Sequence, residues 1–382
     1  MTRSKTALGE LFVVGSSKRV LKSQWKNDGV PFYRGREITR LANDGFVDNE
    51  LFISEELYAE YAEKYGVPKA DDIVITAIGT IGNSYIVKES DRFYFKDASV
   101  LWLKRKNAVN SDFINLWLKS PQFFDQLDTG NGATVDTLTI QKLQSVQVDL
   151  PSLPEQQRIV GILDAAFDGI ATAKANTEKN LQNARALFES HLQSVFTQRG
   201  EGWAVKTVDK ISTNPDSKRV PITKNVRTSG EYPYYGASGI VDYVADYIFD
   251  GDTLLVSEDG ANLLARSTPI AFSVSGKYWV NNHAHILKFE NMATQRFVEF
   301  YLESIKLDEY ITGAAQPKLN QKALNSILIP IPTSVEDQAK VVETIESLSV
   351  ETQRLESLNQ RKLAALDEMK KSLLHQAFSG AL

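Results

Sequence analysis

Val146-Gln147-Val148-Asp149-Leu150-Pro151-Ser152-Leu153-Pro154-Glu155-Gln156-Gln157-Arg158-Ile159-Val160 joins a strand to a helix. The first residues alternate in the manner of a strand and stop at proline, and a run of more than 40 residues poor in Gly and Pro follows. Ile159, Leu163, Ala166, Ile170 and Ala173 recur in that run at alternating spacings of four and three, which is a heptad seam. A second such run follows Pro332, with Val341, Ile345, Leu348, Thr352 and Leu355 on its seam and Leu366 and Leu373 extending it. Globular domains rarely need helices this long except as spacers or coils. At about 1.5 Å per residue each should reach roughly 60 Å, and two from one chain can lie side by side.

The two runs belong to an internal repeat. Gly132-Ala133, Leu138, Leu143, Ser145 and the strand 146–151 recur as Gly313-Ala314, Leu319, Leu324, Ser326 and 327–332 at one offset of about 181 residues. The same offset carries Glu155 onto Glu336, Gln157 onto Gln338 and Val160 onto Val341; with a one-residue slip Leu192 and Phe196 meet Leu374 and Phe378. Upstream, with small insertions, Ser17-Lys18-Arg19-Val20 matches Ser217-Lys218-Arg219-Val220, Pro31-Phe32-Tyr33 matches Pro233-Tyr234-Tyr235, and 72–75 matches 252–255. Ordered matches along a whole half imply duplication.

Within each half, composition shifts once. Residues 1–150 and 200–332 hold Gly, Tyr, Phe and β-branched residues in short runs broken by Gly and Asn turns, which predicts mixed, mainly β domains with short helices near 54–64, 112–119 and 294–303. The expected architecture is α+β: domain 1–150, long helix 151–199, domain 200–332, long helix 333–382, with the two helices pairing as an antiparallel coiled coil. Polar residues fall near mid-seam, Thr177 and Asn180 in one helix and Thr352 and Asn359 in the other. Either they meet and fix register at a cost in stability, or they face solvent. The apolar stripe Ala184, Leu187, Phe188, Leu192 and Phe196 is wider than a two-helix seam needs, so it calls for a further partner or for each of the two domains folding back on it.

Composition removes several functions. The chain of 382 residues has no cysteine, which excludes disulfides, thiolate metal sites and a cysteine nucleophile. A net charge of -5 argues against coating nucleic acid by bulk attraction and favours a protein that grips DNA with help from partners. There is no apolar run long enough to span a membrane, and the start Met1-Thr2-Arg3-Ser4-Lys5 leads to Glu10, Lys18 and Arg19 instead of a signal core, so the cytoplasm is the expected compartment. No phosphate-cradling Gly-Lys-Ser or Gly-Lys-Thr loop occurs, Gly130-Asn131-Gly132 is only a fragment of a dinucleotide fingerprint, and Asn214-Pro215-Asp216 lacks the second proline and the aromatic of a base-methylating turn. His283 and His285 alternate on a predicted strand without a third ligand nearby, and imidazoles satisfied beside Asn281 and Asn282 are the expected state. Catalysis, and any cofactor, is expected on other chains.

What the two domains offer in matched places is groups of the kind that can read DNA, although any single Lys or Arg among them also suits a solvated surface. Lys18 and Arg19 recur as Lys218 and Arg219; Tyr33, Arg34 and Arg36 lie where the second copy has Tyr234 and Tyr235; the Gly loops carry Thr134 in one half and Gln316 and Lys318 in the other; and Asn262 and Arg266 are further candidates in the second half. Such residues supply phosphate contacts and base-edge hydrogen bonds. A repeated scaffold with unlike loops suits two readers of different sequences, whereas a repeated enzyme would keep its reactive groups alike. A purely structural coiled-coil scaffold would leave two large turn-rich domains without a purpose.

Asp72-Ile73-Val74-Ile75 running into Gly79-Thr80-Ile81-Gly82, the Gly-Ala-x-x-x-x-Leu loops at Gly132 and Gly313, and the Pro151 to Val160 helix opening together resemble the specificity subunits of type I restriction-modification systems, over essentially the whole chain. The second copy departs from the pattern at Pro332-Thr333-Ser334-Val335-Glu336-Asp337-Gln338 and at Asp259-Gly260-Ala261-Asn262. The resemblance implies a non-catalytic subunit with two target recognition domains reading a split site in double-stranded DNA. The helices would set the gap and dock two methyltransferase subunits that carry the S-adenosylmethionine chemistry, and restriction (translocase-nuclease) subunits would use ATP. The recognition subunit of a type II methylase-nuclease system would share this design and remains the alternative.

Overall fold

The structure is a computed structural model that describes residues 4–127, 137–313 and 315–382. It forms two compact units, one running to Thr177 and completed by Arg361–Leu382, the other Glu178–Gln360. In the first unit an antiparallel sheet has the order Phe12–Gly15, Val100–Arg105, Ile73–Thr76, Ser84–Ile86. Ile73-Val74-Ile75 is buried on both faces, which is why it reads as an unbroken apolar run. Ile73 and Ile75 pack with Leu101, Leu103 and helix Ser111–Trp117, while Val74 and Trp102 face Ile38, Phe93 and Phe95. A smaller sheet places Val30–Tyr33 between Phe52–Ile53 and Tyr94–Phe95, pairing Phe32 with Tyr94 in parallel.

The second unit repeats this plan. Thr253–Ser257 lies between Ala271–Val274 and Ala284–Leu287, and Ser229–Gly236 pairs in parallel with Lys277–Val280, Tyr234 opposite Trp279. Equivalent hydrogen bonds recur at matching positions. Leu138 N–H donates to the Ala77 carbonyl and Leu319 N–H to the Glu258 carbonyl, each at 2.8 Å. Asn110 and Asn291 cap equivalent helices by accepting from Phe113 N–H at 2.9 Å and Thr294 N–H at 2.8 Å. Glycine is required at two corresponding turns, Gly79 at φ 77° and Gly260 at φ 109°.

In both units a terminal strand closes the domain and aims the chain into a long helix. Ser4–Ala7 pairs with Gln147–Leu150, and Trp203–Thr207 with Leu328–Pro332. Helices Leu153–Thr197 and Val335–Ser379, 45 residues each, then begin. Their first turns correct the sequence match beyond Pro332: the buried equivalents are Gln156 and Gln338, not Gln157 and Gln338, and the same one-residue shift sets Glu155 against Asp337 and Val160 against Val342. Gln156 Nε2 donates to the Pro151 carbonyl at 2.9 Å and Gln338 Nε2 to the Pro332 carbonyl at 2.7 Å. Gln156 Oε1 accepts from Asn110 N–H at 2.9 Å and Gln338 Oε1 from the Thr294 hydroxyl at 2.6 Å. Thr333 is the extra residue that shifts the register, because it lengthens the link between strand and helix in the second copy.

The long helices pack together within each unit. In the first, Ile159 and Leu163 share a core with Leu374, Ala377 and Phe378, and Lys174 pairs with Asp367. In the second, Leu192 and Phe196 join Val342 and Ile345, and Arg185 meets Glu356 at 2.6 Å. The seam residues Ile159, Leu163 and Ile170 are buried as their spacing predicts. Thr177 is fully buried with its hydroxyl on the Ala173 carbonyl, Asn359 is half-buried and donates to the Leu355 carbonyl, and Asn180 is exposed. The wide stripe near the end of the first long helix is covered by the domain that follows it, 200–332, since Phe196 stacks edge-on with Phe297 and Tyr301, but Leu187 stays 64% exposed. Among the described residues no helix is long and apolar enough to cross a membrane.

Candidate nucleic-acid interface

The sequence-matched residues fall into three physical states. Lys18, Arg19, Lys218 and Gln316 are exposed. Lys18 is held at its backbone by the Tyr94 hydroxyl at 2.9 Å, with its ammonium 5.6 Å from the Tyr65 ring centre, so a buried tyrosine fixes the loop that presents it. Tyr61 does the same for the next residue, donating its hydroxyl to the Arg19 carbonyl.

A second set is engaged inside its own domain. Arg34 N–H donates to Glu37 Oε2 at 2.8 Å, its guanidinium reaches Glu37 Oε1 at 2.8 Å, and Arg36 pairs with both Glu37 and Glu50. Glu37, three residues beyond the helix cap, closes the first turn of helix Gly35–Asp44 and is only 2% exposed. Burial pushes its carboxyl up, but hydrogen bonds from Arg34 and Arg36 outweigh that and hold it down at about 2. Arg266 donates to the Leu302 and Ile305 carbonyls, satisfying the end of helix Met292–Ser304. Asn262 ties its own turn by accepting from Ser267 and Thr268.

The third set is packed. Tyr234 is 1% exposed, with its hydroxyl on Ile222 N–H at 3.0 Å, and is inaccessible to a groove. Tyr33 stacks on Phe93 at 4.8 Å, and Tyr235 lies against Phe272 and Tyr278, both half-buried. Their equivalence comes from the parallel strand pairing, which needs an aromatic there for packing. Thr134, with the rest of loop 128–136, lies outside the described residues.

Arg219 and Lys318 belong to one cluster that no motif signals. Arg219 meets Glu258 at 2.6 Å and the Ala284 carbonyl at 2.7 Å, and Lys318 meets Glu258 at 3.1 Å. Beneath them His285, 1% exposed, faces Asp216 Oδ2 through Nδ1 at 2.5 Å and the Leu319 carbonyl through Nε2 at 2.7 Å. Asp216 Oδ1 also accepts Ile286 N–H at 2.8 Å. Burial raises the Asp216 and Glu258 carboxyls, but hydrogen bonds from His285 to the first and from Arg219 to the second bring both below the usual carboxylate range. Ligand atoms of Asp216, Glu258 and His285 lie within 4.8 Å of one another. A metal would have to displace Arg219 and Lys318 from Glu258 and free a ring nitrogen of His285, so ion pairing is the arrangement these donors fit. His285 is thus the satisfied imidazole expected, although its partners are Asp216 and Leu319; Asn281 instead accepts from His283 N–H at 2.8 Å, and His283 reaches Asp259 at 2.9 Å.

Two halves thus carry one frame with different chemistry at its loops. The family model for the type I restriction modification DNA specificity domain matches the chain at residues 4–183 and again at 200–363. The chain belongs to that family. Among relatives of this specificity family, a protein named as a putative type I restriction enzyme specificity subunit from Haemophilus influenzae is 34% identical over 172 residues, 45% of this chain and 42% of the relative. The type I restriction enzyme EcoBI specificity subunit of Escherichia coli is 31% identical over 194 residues, 48% of this chain and 39% of the relative. The matched part spans about two fifths of the length of these two relatives. In fold, the chain is similar to one solved in work on complex assembly and conformational transition of the type I R-M system, with TM-score 0.79, 15% identity and coverage of 99% and 98%. It is also similar to the HsdS subunit from Thermoanaerobacter tengcongensis, with TM-score 0.66, 15% identity and coverage of 100% and 97%.

Proposed function

We infer that this chain is the sequence-specific DNA-binding subunit of a type I restriction-modification enzyme, with one recognition domain in residues 1–150 and the other in 200–332, each reading one part of a split double-stranded target. The observation that carries this reading is the duplicated frame with unlike loops. Hydrogen bonds such as Leu138 to Ala77 and Leu319 to Glu258 repeat, while the groups set on that frame differ, Arg34, Arg36 and Glu37 in one half and Asp216, Glu258 and His285 in the other. Two active sites of one enzyme would do the reverse. The chain is read as non-catalytic, with S-adenosylmethionine and ATP chemistry on its partners.

The long helices serve as the spacer. Lys174 with Asp367 in one unit and Arg185 with Glu356 in the other pair increasing numbers with decreasing ones, as an antiparallel coiled coil requires. Spacer helices 151–199 and 333–382 would then set the gap between half-sites, and exposed helix surface such as Leu187 would receive two methyltransferase subunits, with restriction subunits joining them. Exposed Lys18, Arg19, Lys218 and Gln316 are the first candidates for DNA contact; Arg34, Arg36, Arg219 and Lys318 shape the loops and offer their remaining donors. The test is to co-express the chain with its methyltransferase and map methylated bases in host DNA. A split motif with a fixed gap is expected, and a short continuous motif, or none, overturns the reading.

A further inference from the structure

The cluster beneath Arg219 and Lys318 does more than neutralise charge, because it ties together the two loops that the second domain presents. Loop 258–262 and loop 315–319 are stitched by Leu319 N–H to the Glu258 carbonyl at 2.8 Å, Gly260 N–H to the Pro317 carbonyl at 3.0 Å, and a bridge between Asp259 and Lys318. Side chains then anchor both loops to the sheet. His285, on strand Ala284–Leu287, holds the Leu319 carbonyl of one loop, and Glu258, at the foot of the other, holds Lys318 from the first. Arg219 and Asp216 brace them from a third segment, through Glu258 and His285. Glu258 N–H donates to the His283 carbonyl at 2.8 Å, and His283 in turn reaches Asp259, so the cluster spans both loops and the strand under them.

The first domain builds the same place without charge. The bridge between Ile78 and Thr137 and the bond from Leu138 N–H to the Ala77 carbonyl are retained there, but Ala77 stands where the second domain has Glu258, and both Ala77 and Leu101 are buried in an apolar core. The backbone stitch therefore belongs to the frame, and the ionic anchor is an addition peculiar to the second domain. Its outer end is Lys318, half exposed, beside exposed Gln316, and glycine at Gly313 lets the loop turn tightly, since a Cβ there would lie 2.5 Å from the Gln316 carbonyl oxygen.

We propose that His285, Asp216 and Glu258 are positioning residues for sequence reading by the second domain: they hold the Gln316–Lys318 loop against loop 258–262 in the one geometry that presents its donors to base edges. This rests on the DNA-reading assignment above. Base discrimination depends on bidentate geometry, which a loop free to shift by an ångström cannot maintain.

The experiment is methylation mapping with the whole complex of this chain and its methyltransferase, comparing wild type with His285→Leu and with Glu258→Gln. Glu258→Gln keeps the shape and removes the charge that holds Arg219 and Lys318, so it tests the proposal even if His285→Leu fails to fold. The expected result is relaxed preference, roughly tenfold, at positions of one and the same half-site in every folded variant, with the other half-site and the gap unchanged. Unchanged preference in a folded variant overturns the proposal, as does an equal loss at both half-sites, which would mark general destabilisation. A wild-type complex that yields no split motif would instead remove the underlying assignment, and the two failures are thereby distinguishable.

Discussion

Glu37 is a residue whose burial only makes sense with its neighbours, because a lone carboxylate 2% exposed would be protonated at neutral pH. With Arg34 and Arg36 on it, the folded-state carboxyl stays ionised down to about 2, against an ordinary value of 4.5. A depressed pKa contributes stability that is present above the ordinary value and is lost as pH falls from about 4.5 toward about 2. Glu37→Gln should therefore cost roughly 2 kcal/mol near pH 7, discounted for the half-exposed Arg36, and the gap from wild type should narrow at acid pH. Urea unfolding at both pH values measures this; a gap independent of pH would show that the ion pairs contribute nothing. At the exposed extreme, Lys218 should act through phosphate alone. Lys218→Ala is expected to weaken DNA binding by the assembled complex for all sequences and to reduce the salt slope by about 1. An unaltered slope would take Lys218 off the interface.

Each long helix is one element serving two purposes, and its first turn matters as much as its seam. Gln156 and Gln338 lock strand, domain helix and long helix to one another through two hydrogen bonds apiece, in nearly the same geometry. Gln156→Met fills the space but leaves the Asn110 N–H and the Pro151 carbonyl unpaired, so a loss of about 2 kcal/mol is expected in equilibrium unfolding. Gln157→Met, exposed on the next position, should change little and serves as the control. Mid-seam, Asn359 already satisfies its amide on its own helix. Asn359→Leu should raise the melting temperature by burying apolar surface on the seam; no change would place that position outside the helix pairing.

For the whole molecule, a net charge of -5 spread over two duplicated domains and two long helices leaves little bulk attraction for phosphate. The chain by itself should bind its target weakly, at about the non-specific level, and tighten by at least about a hundredfold when the methyltransferase subunits are present. Fluorescence anisotropy with and without them checks this, and tight, selective binding by the chain alone would contradict it. Periodicity and repetition are properties of the sequence itself, so the heptad spacing from Ile159 to Ala173, the Gly loops and the offset between halves make the duplicated plan and the two long helices legible in the residues alone. A constant offset pairs Gln338 with the wrong glutamine, because one inserted residue, Thr333, is invisible to it until a hydrogen bond shows that Gln156 is the buried one. The same limit applies to the basic residues. Arg34 has its partner Glu37 three residues away, but Arg19, Arg219 and Lys318 look alike in sequence, and only the fold separates an exposed side chain from one held on Glu258, because that partner lies far away along the chain. His285 and Asp216 are 69 positions apart and meet only through sheet pairing. Local spacing thus determined the elements and their order, while tertiary packing alone decided which charges are neutralised inside and which stay exposed.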